Sequence, residues 1–131
     1  MMKLFSKKPT DQCVLIADDV ATIRTIVSGP FKKAKYRIVE TRNGDEVVSF
    51  SRAHNPNLII LDLQMGNRGG ASALDELLLD PKLAQIPIVV LSGEKDETII
   101  QNVKNKDNVV DFISKDNLTQ VIENLQKHVK K

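Results

Sequence analysis

The chain has 131 residues, 41% of them hydrophobic and 27% charged, with 19 basic residues against 17 acidic ones for a formal charge of +2. That length suits one compact domain with its own core, and so even a charge balance creates no field that would favour nucleic acid. Cys13 is the sole cysteine, which excludes an internal disulfide and fits a reducing, cytoplasmic setting. Residues 1–12 carry Lys3, Lys7 and Lys8 without an apolar run of signal-peptide length. No segment approaches the ~20 apolar residues of a membrane span.

In chain order, the first apolar run is 13–17, where Val14, Leu15 and Ile16 mark Cys13 as a buried strand thiol. Val20, Ile23, Ile26, Val27, Phe31 and Ala34 then place one apolar stripe on a helix. Pro30 falls inside that stripe and is expected to kink or shorten the helix. A second strand is read at 36–39, followed by Asn43 and Gly44 as a turn and a helix around Val47, Val48 and 50–53. The run 58–61 gives a third strand, and Leu74, Leu77 and Leu78 a third helix closed by Asp80-Pro81. A fourth strand follows at 88–91.

The segment 98–104 has Ile99, Ile100 and Val103 on one side, but Asn102 and Asn105 are poor helix formers, so a short or mobile fourth helix is expected. A fifth strand is read at 109–113. Leu118, Val121, Ile122, Leu125 and Val129 complete an amphipathic last helix, with Asp116 or Asn117 as its cap. The nearly continuous Val, Ile and Leu runs suit strands buried on both faces of a parallel sheet. Strand–helix alternation therefore predicts an α/β fold: a five-stranded parallel sheet in flavodoxin-like order 2-1-3-4-5, sandwiched between helices. The domain is expected over 12–131, after an N-terminal tail at 1–11.

In such sheets, sites form outside the carboxyl ends of the strands. The first strand runs into Asp18-Asp19, the third into Asp62, the fourth into Ser92-Gly93, and the fifth into Ser114-Lys115. Convergence would place three carboxylates, a hydroxyl and an ammonium in one cleft. Crowded carboxylates repel, and a hard divalent cation such as Mg²⁺ relieves that repulsion through oxygen ligands. Lys115 offers a positive charge to a phosphoryl oxygen, Ser92 a hydrogen-bond donor, and a carboxylate there can attack phosphorus. Each element has a plainer reading. Asp18-Asp19 suits a helix N-terminus, Ser92-Gly93 an ordinary loop, and Lys115 a solvated surface. Lys7-Lys8, Lys127 and Lys130-Lys131 read as solvated tails, and His54 and His128 as surface residues.

Asp18-Asp19, Asp62, Ser92-Gly93 and Lys115, in that order and at strand ends, resemble the signature of receiver domains of two-component response regulators. The likeness extends from about Gln12 to Val129. It implies that Asp62 is the phospho-acceptor, and that Asp18, Asp19, Asp62 and the backbone carbonyl of Gln64 hold Mg²⁺. It further implies that Ser92 bonds the phosphoryl group and Lys115 pairs with it. Gly70 falls where the family places a glycine before its third helix. Phe112 falls at the aromatic position that turns inward as Ser92 is drawn to the phosphoryl group.

The implied partners are a histidine kinase or histidine phosphotransfer protein and a downstream protein effector, with no nucleic acid and no membrane. The implied state is a monomer or a weak phosphorylation-dependent dimer. Only two residues follow Val129, so a stand-alone module rather than an enzyme is expected.

Three departures from the family pattern stand out. Met65 is followed by Gly66 where proline is usual, so that loop is expected to be more flexible. Lys115 is followed by Asp116 instead of proline. A cis bond there would cost ~2.5–4 kcal/mol, so a trans bond and a differently aimed lysine are expected. Phe112 lacks a tyrosine hydroxyl. The Gly66 and Lys115-Asp116 departures motivate a second reading, a pseudo-receiver that binds its partner regardless of phosphorylation. A third, an aspartate-nucleophile phosphatase of the haloacid-dehalogenase type, fits poorly because Asp18 and Asp19 are adjacent.

Overall fold

Three strands of this chain, at 13–17, 58–62 and 88–92, are buried at every position. In the computed structural model, which describes residues 12–65 and 69–130, β1 (Cys13–Ala17), β2 (Arg37–Thr41), β3 (Leu58–Asp62), β4 (Ile88–Ser92) and β5 (Val109–Ser114) pair in parallel in the order β2-β1-β3-β4-β5. Cys13, Leu15, Ile59, Leu61, Ile88 and Val90 join one apolar cluster, with Val47, Val48, Ala73, Leu74, Leu77 and Val103. Val14, Ile16, Leu58, Ile60, Val89 and Leu91 join the other, with Val27, Phe31, Val121 and Leu125. The first cluster is covered by α2 (Gly44–His54), α3 (Gly70–Leu79) and α4 (Glu97–Lys104), the second by α1 (Ala21–Lys33) and α5 (Leu118–Gln126). This is the expected α/β sandwich with sheet order 2-1-3-4-5. A strand with period two that is apolar at every position can satisfy only an arrangement with helices on both sides.

Local chemistry fixes the element ends. Asn43 caps α2 by accepting the Glu46 N–H at 3.0 Å, so Gly44 is the first helical residue and not part of a turn. Asp96 caps α4 through the N–H groups of Thr98 and Ile99, which is why that weakly helical segment holds as a helix of 8 residues. Asn117, not Asp116, caps α5. α1 runs through Pro30 to Lys33 without being shortened. Proline removes one backbone donor, but its ring is buried beside the fully buried Phe31, and packing outweighs the missing bond.

β2 is shifted towards its carboxyl end, so Tyr36 precedes it and Thr41 closes it. His54 and His128 are partly buried rather than surface residues: His54 lies against Phe50 and Arg37, and His128 Nε2 is 2.8 Å from Asp111 Oδ2. The expected tail at 1–11 and the Gly66 loop lie outside the described residues.

Gly70 does more than start a helix. A Cβ there would stand 2.8 Å from Leu63 Cα, and closer still to the Asp62 carbonyl oxygen. Its N–H donates to the Leu63 carbonyl at 3.0 Å. The first turn of α3 is thus pressed onto the backbone that leaves β3, and only a residue without a side chain permits that approach.

Two outcomes follow from this packing. Gly70→Ala is expected to destabilise the domain by about 1–3 kcal/mol, the usual range for overpacking; a denaturant midpoint equal to that of the wild type would show that the loop yields freely. Cys13 is 1% exposed, and burial raises its thiol pKa despite the opposing charge of Arg37. A thiol reagent is therefore expected to modify it in the folded protein only at the rate of opening, and at once in denaturant. Fast labelling of folded protein would contradict this burial.

Candidate functional site

The carboxyl ends of β1, β3, β4 and β5 bring Asp18, Asp62, Ser92 and Lys115 to one edge, as parallel pairing requires. Asp18 and Asp62 are 1% and 2% exposed, and Ser92 is fully buried. Lys115 Nζ lies between the two carboxylates, 2.9 Å from Asp18 Oδ2 and 3.1 Å from Asp62 Oδ2. Asp19 is exposed, and one oxygen from each of Asp18, Asp19 and Asp62 lies within 4.8 Å of the others.

Each buried group is also held by backbone. Asp62 Oδ1 accepts the Gln64 N–H at 3.0 Å, and Asp18 Oδ1 accepts the Val20 N–H at 2.9 Å. Ser92 Oγ accepts the Glu94 N–H at 2.9 Å, which leaves its own hydrogen to donate. The Gln64 side chain is exposed and its amide oxygen passes near Gly93.

Electrostatics make Asp62 unusual. Burial raises its pKa above the ordinary carboxylate value, the Gln64 N–H opposes that, the Asp18 charge adds to it, and Lys115 again opposes it. Burial works against the charge of Lys115, yet its hydrogen bond to Asp18 and the charges of Asp62 and Asp18 prevail and raise its pKa. Lys115 thus offers one positive charge to two buried carboxylates. A donor set of hard oxygens in excess of its cations is the kind that Mg²⁺ fits, so Asp18, Asp19 and Asp62 suit a divalent cation.

The departure at Lys115–Asp116 resolves physically. No cis peptide bond occurs among the described residues, so the Lys115–Asp116 bond is trans, yet Lys115 still reaches both carboxylates. Its backbone N–H donates to the Ser92 carbonyl at 3.0 Å, which ties the two loops together. Asp116 turns away from the carboxylates and pairs with Lys95, and that partner lowers its pKa. Phe112 is partly buried against the cluster that contains Val90 and Val103.

Two residues that touch this region escape a reading of the sequence. Arg24 donates through Nη1 to the Asp18 carbonyl at 2.7 Å and through Nε to Glu40 at 2.8 Å. Its one signal is position: a charge four residues after Val20, at the margin of an apolar stripe. Lys95 has no signal, since nothing local relates it to Asp116.

A family model for the response regulator receiver domain matches residues 14–127. The transcriptional regulatory protein PdtaR of Mycobacterium tuberculosis is 33% identical over 93 residues, a match that takes in 70% of this chain and 44% of that protein. Protein PilH of Pseudomonas aeruginosa is 25% identical over 85 residues, covering 65% of this chain and 70% of its own. The crystal structure of the phosphorylated cyanobacterial phytochrome response regulator RcpA superposes with a TM-score of 0.80 at 25% identity, covering 91% of each chain. The match thus spans less than half the length of PdtaR. With its parallel sheet, its acidic cluster and a family match over nearly its whole length, this chain belongs to the response regulator receiver domains of two-component signalling.

Proposed function

We propose that Asp62 accepts a phosphoryl group from a phosphohistidine of a histidine kinase or histidine phosphotransfer protein, and that the change is read by a protein effector. The observation that carries this reading is Lys115 Nζ, 2.9 Å from Asp18 and 3.1 Å from Asp62, beside a buried hydroxyl. A carboxylate oxygen of Asp62 attacks phosphorus; the new O–P bond forms as the P–N bond to the donor imidazole breaks, and the imidazole leaves with that electron pair. Asp18, Asp19, Asp62 and the Gln64 carbonyl would hold Mg²⁺, which when bound neutralises charge on the phosphoryl oxygens. Lys115 exchanges its contact with Asp62 Oδ2 for one with a phosphoryl oxygen. Ser92 donates the hydrogen that its bond from Glu94 leaves spare.

Drawing Ser92 towards the phosphoryl group would vacate space at the end of β4. Phe112, partly buried on the neighbouring strand, is placed to turn into it. Beside it lies a surface cavity of about 200 Å³ lined by Lys104, Val109, Val110, Asp111 and Phe112. Val110, Ile99 and Leu118 are exposed apolar residues on these elements, 55%, 42% and 38% accessible. A partner that covers them would sense the position of Phe112. On this reading the domain turns over no separate substrate and loses its phosphoryl group by hydrolysis.

Incubation with acetyl phosphate, followed by intact mass, tests the chemistry. A single phosphoryl adduct is expected with Mg²⁺, little or none without it, and none for Asp62→Asn. An adduct that persists in Asp62→Asn would place the acceptor elsewhere. No adduct in the wild type would favour a module that binds its partner constitutively.

A further inference from the structure

The geometry points to Arg24 as a positioning residue that sets the cation affinity of the acidic cluster by fixing one peptide plane. This rests on the reading of Asp18, Asp19 and Asp62 as a cation site and adds a residue outside that donor set.

Asp18 and Asp19 share a peptide unit, and a peptide unit is a rigid plane. Three contacts on Asp18 itself hold one side: its N–H donates to the Thr41 carbonyl at 3.1 Å, Oδ1 accepts from Val20, and Oδ2 meets Lys115. The carbonyl of that shared plane is held by Arg24 Nη1 at 2.7 Å. Fixing this oxygen fixes the plane that ends at Asp19 Cα, and so the base from which the Asp19 carboxylate reaches the cluster.

At the start of α1 the Val20 N–H bond to Asp18 Oδ1 closes the same turn from the other side, and Arg24 adds the hold on its carbonyl. The residue before the helix, Val20, offers no side-chain cap, and the first turn contains no acidic residue. An arginine suits the task because its planar fork serves two acceptors at once in fixed geometry, whereas a lysine ammonium is a point charge on a flexible stem. Here the two acceptors are the Asp18 carbonyl and Glu40 Oε1, at 2.7 and 2.8 Å, and the guanidinium side chain is only 13% exposed.

Glu40 has a second consequence. A guanidinium beside a cation site should repel the cation. Pairing it with a carboxylate on β2 cancels that charge locally while leaving the hydrogen bond to Asp18 intact. The Arg24–Glu40 pair thus supplies orientation at little electrostatic cost to the cation. Glu40 is 48% exposed, so its pairing contributes more to aiming Arg24 than to overall stability.

Titration with Mn²⁺, followed by electron paramagnetic resonance, tests this directly on the wild type, Arg24→Lys, Arg24→Ala, Glu40→Gln and Asp62→Asn. Arg24→Lys and Arg24→Ala are expected to bind about 10-fold more weakly, the scale of losing a residue that orients a ligand. Glu40→Gln should lose affinity in the same direction but less. In phosphorylation by acetyl phosphate, Arg24→Lys should need more Mg²⁺ for half-maximal rate and return near the wild-type rate at saturation. If Arg24→Ala fails to fold, Arg24→Lys and Glu40→Gln decide the matter. Wild-type affinity in Arg24→Lys, or a lower saturating rate with unchanged affinity, would overturn the assignment. A wild type that binds no Mn²⁺, or Asp62→Asn binding it as tightly, would instead remove the cation site itself.

Discussion

The organising constraint is the crowding of Asp18 and Asp62, both nearly inaccessible, around a single ammonium at the end of a parallel sheet. Charge in so little water is costly unless it is paired and hydrogen-bonded. Lys115 offers one positive charge to these two buried carboxylates, so the pair favours further positive charge. The raised pKa of Asp62, from burial first and from Asp18 in addition, expresses that demand. A divalent cation would meet it, and on the proposed function a phosphoryl group would offer Lys115 and the cation a shared partner.

The rest of the fold serves that cluster. Five parallel strands, the central three buried on both faces, leave their carboxyl ends as the place where polar groups can gather. Gly70 lets α3 press on the backbone leaving β3, which holds Asp62 from behind. The Lys115 N–H bond to the Ser92 carbonyl joins the loops that follow β4 and β5. The Lys95–Asp116 pair joins the same two loops at the surface and turns the Asp116 charge away from the cleft.

What the sequence makes legible follows from what is local. Strands of unbroken Val, Ile and Leu declare a doubly covered sheet, and the residue types just past their ends declare where chemistry can occur. The positions of Asp18, Asp62, Ser92 and Lys115 needed no more than strand ends and parallel pairing. Element boundaries moved where a side chain decided them: Asn43 drew Gly44 into α2, and Asp96 stabilised a helix that Asn102 and Asn105 argue against. Pro30 did not stop α1, because burial of its ring outweighs one lost hydrogen bond. Lys95 and Asp116 lie 21 residues apart, and Arg24 and Glu40 lie 16 apart. Such pairs exist only once the fold brings them together.

The most direct measurement is thermal unfolding of the wild type and Asp62→Asn, each with and without Mg²⁺, at neutral pH. Because the folded-state pKa of Asp62 is raised, the folded chain binds more protons than the unfolded one just above the ordinary carboxylate range, and stability falls as pH rises through that window. Ionising Asp62 is thus a cost to the fold. Asp62→Asn is expected to melt higher than the wild type without Mg²⁺, and Mg²⁺ to raise the wild type more than the variant, narrowing the gap. A variant that melts lower without Mg²⁺ and gains as much from it would contradict a cluster short of positive charge.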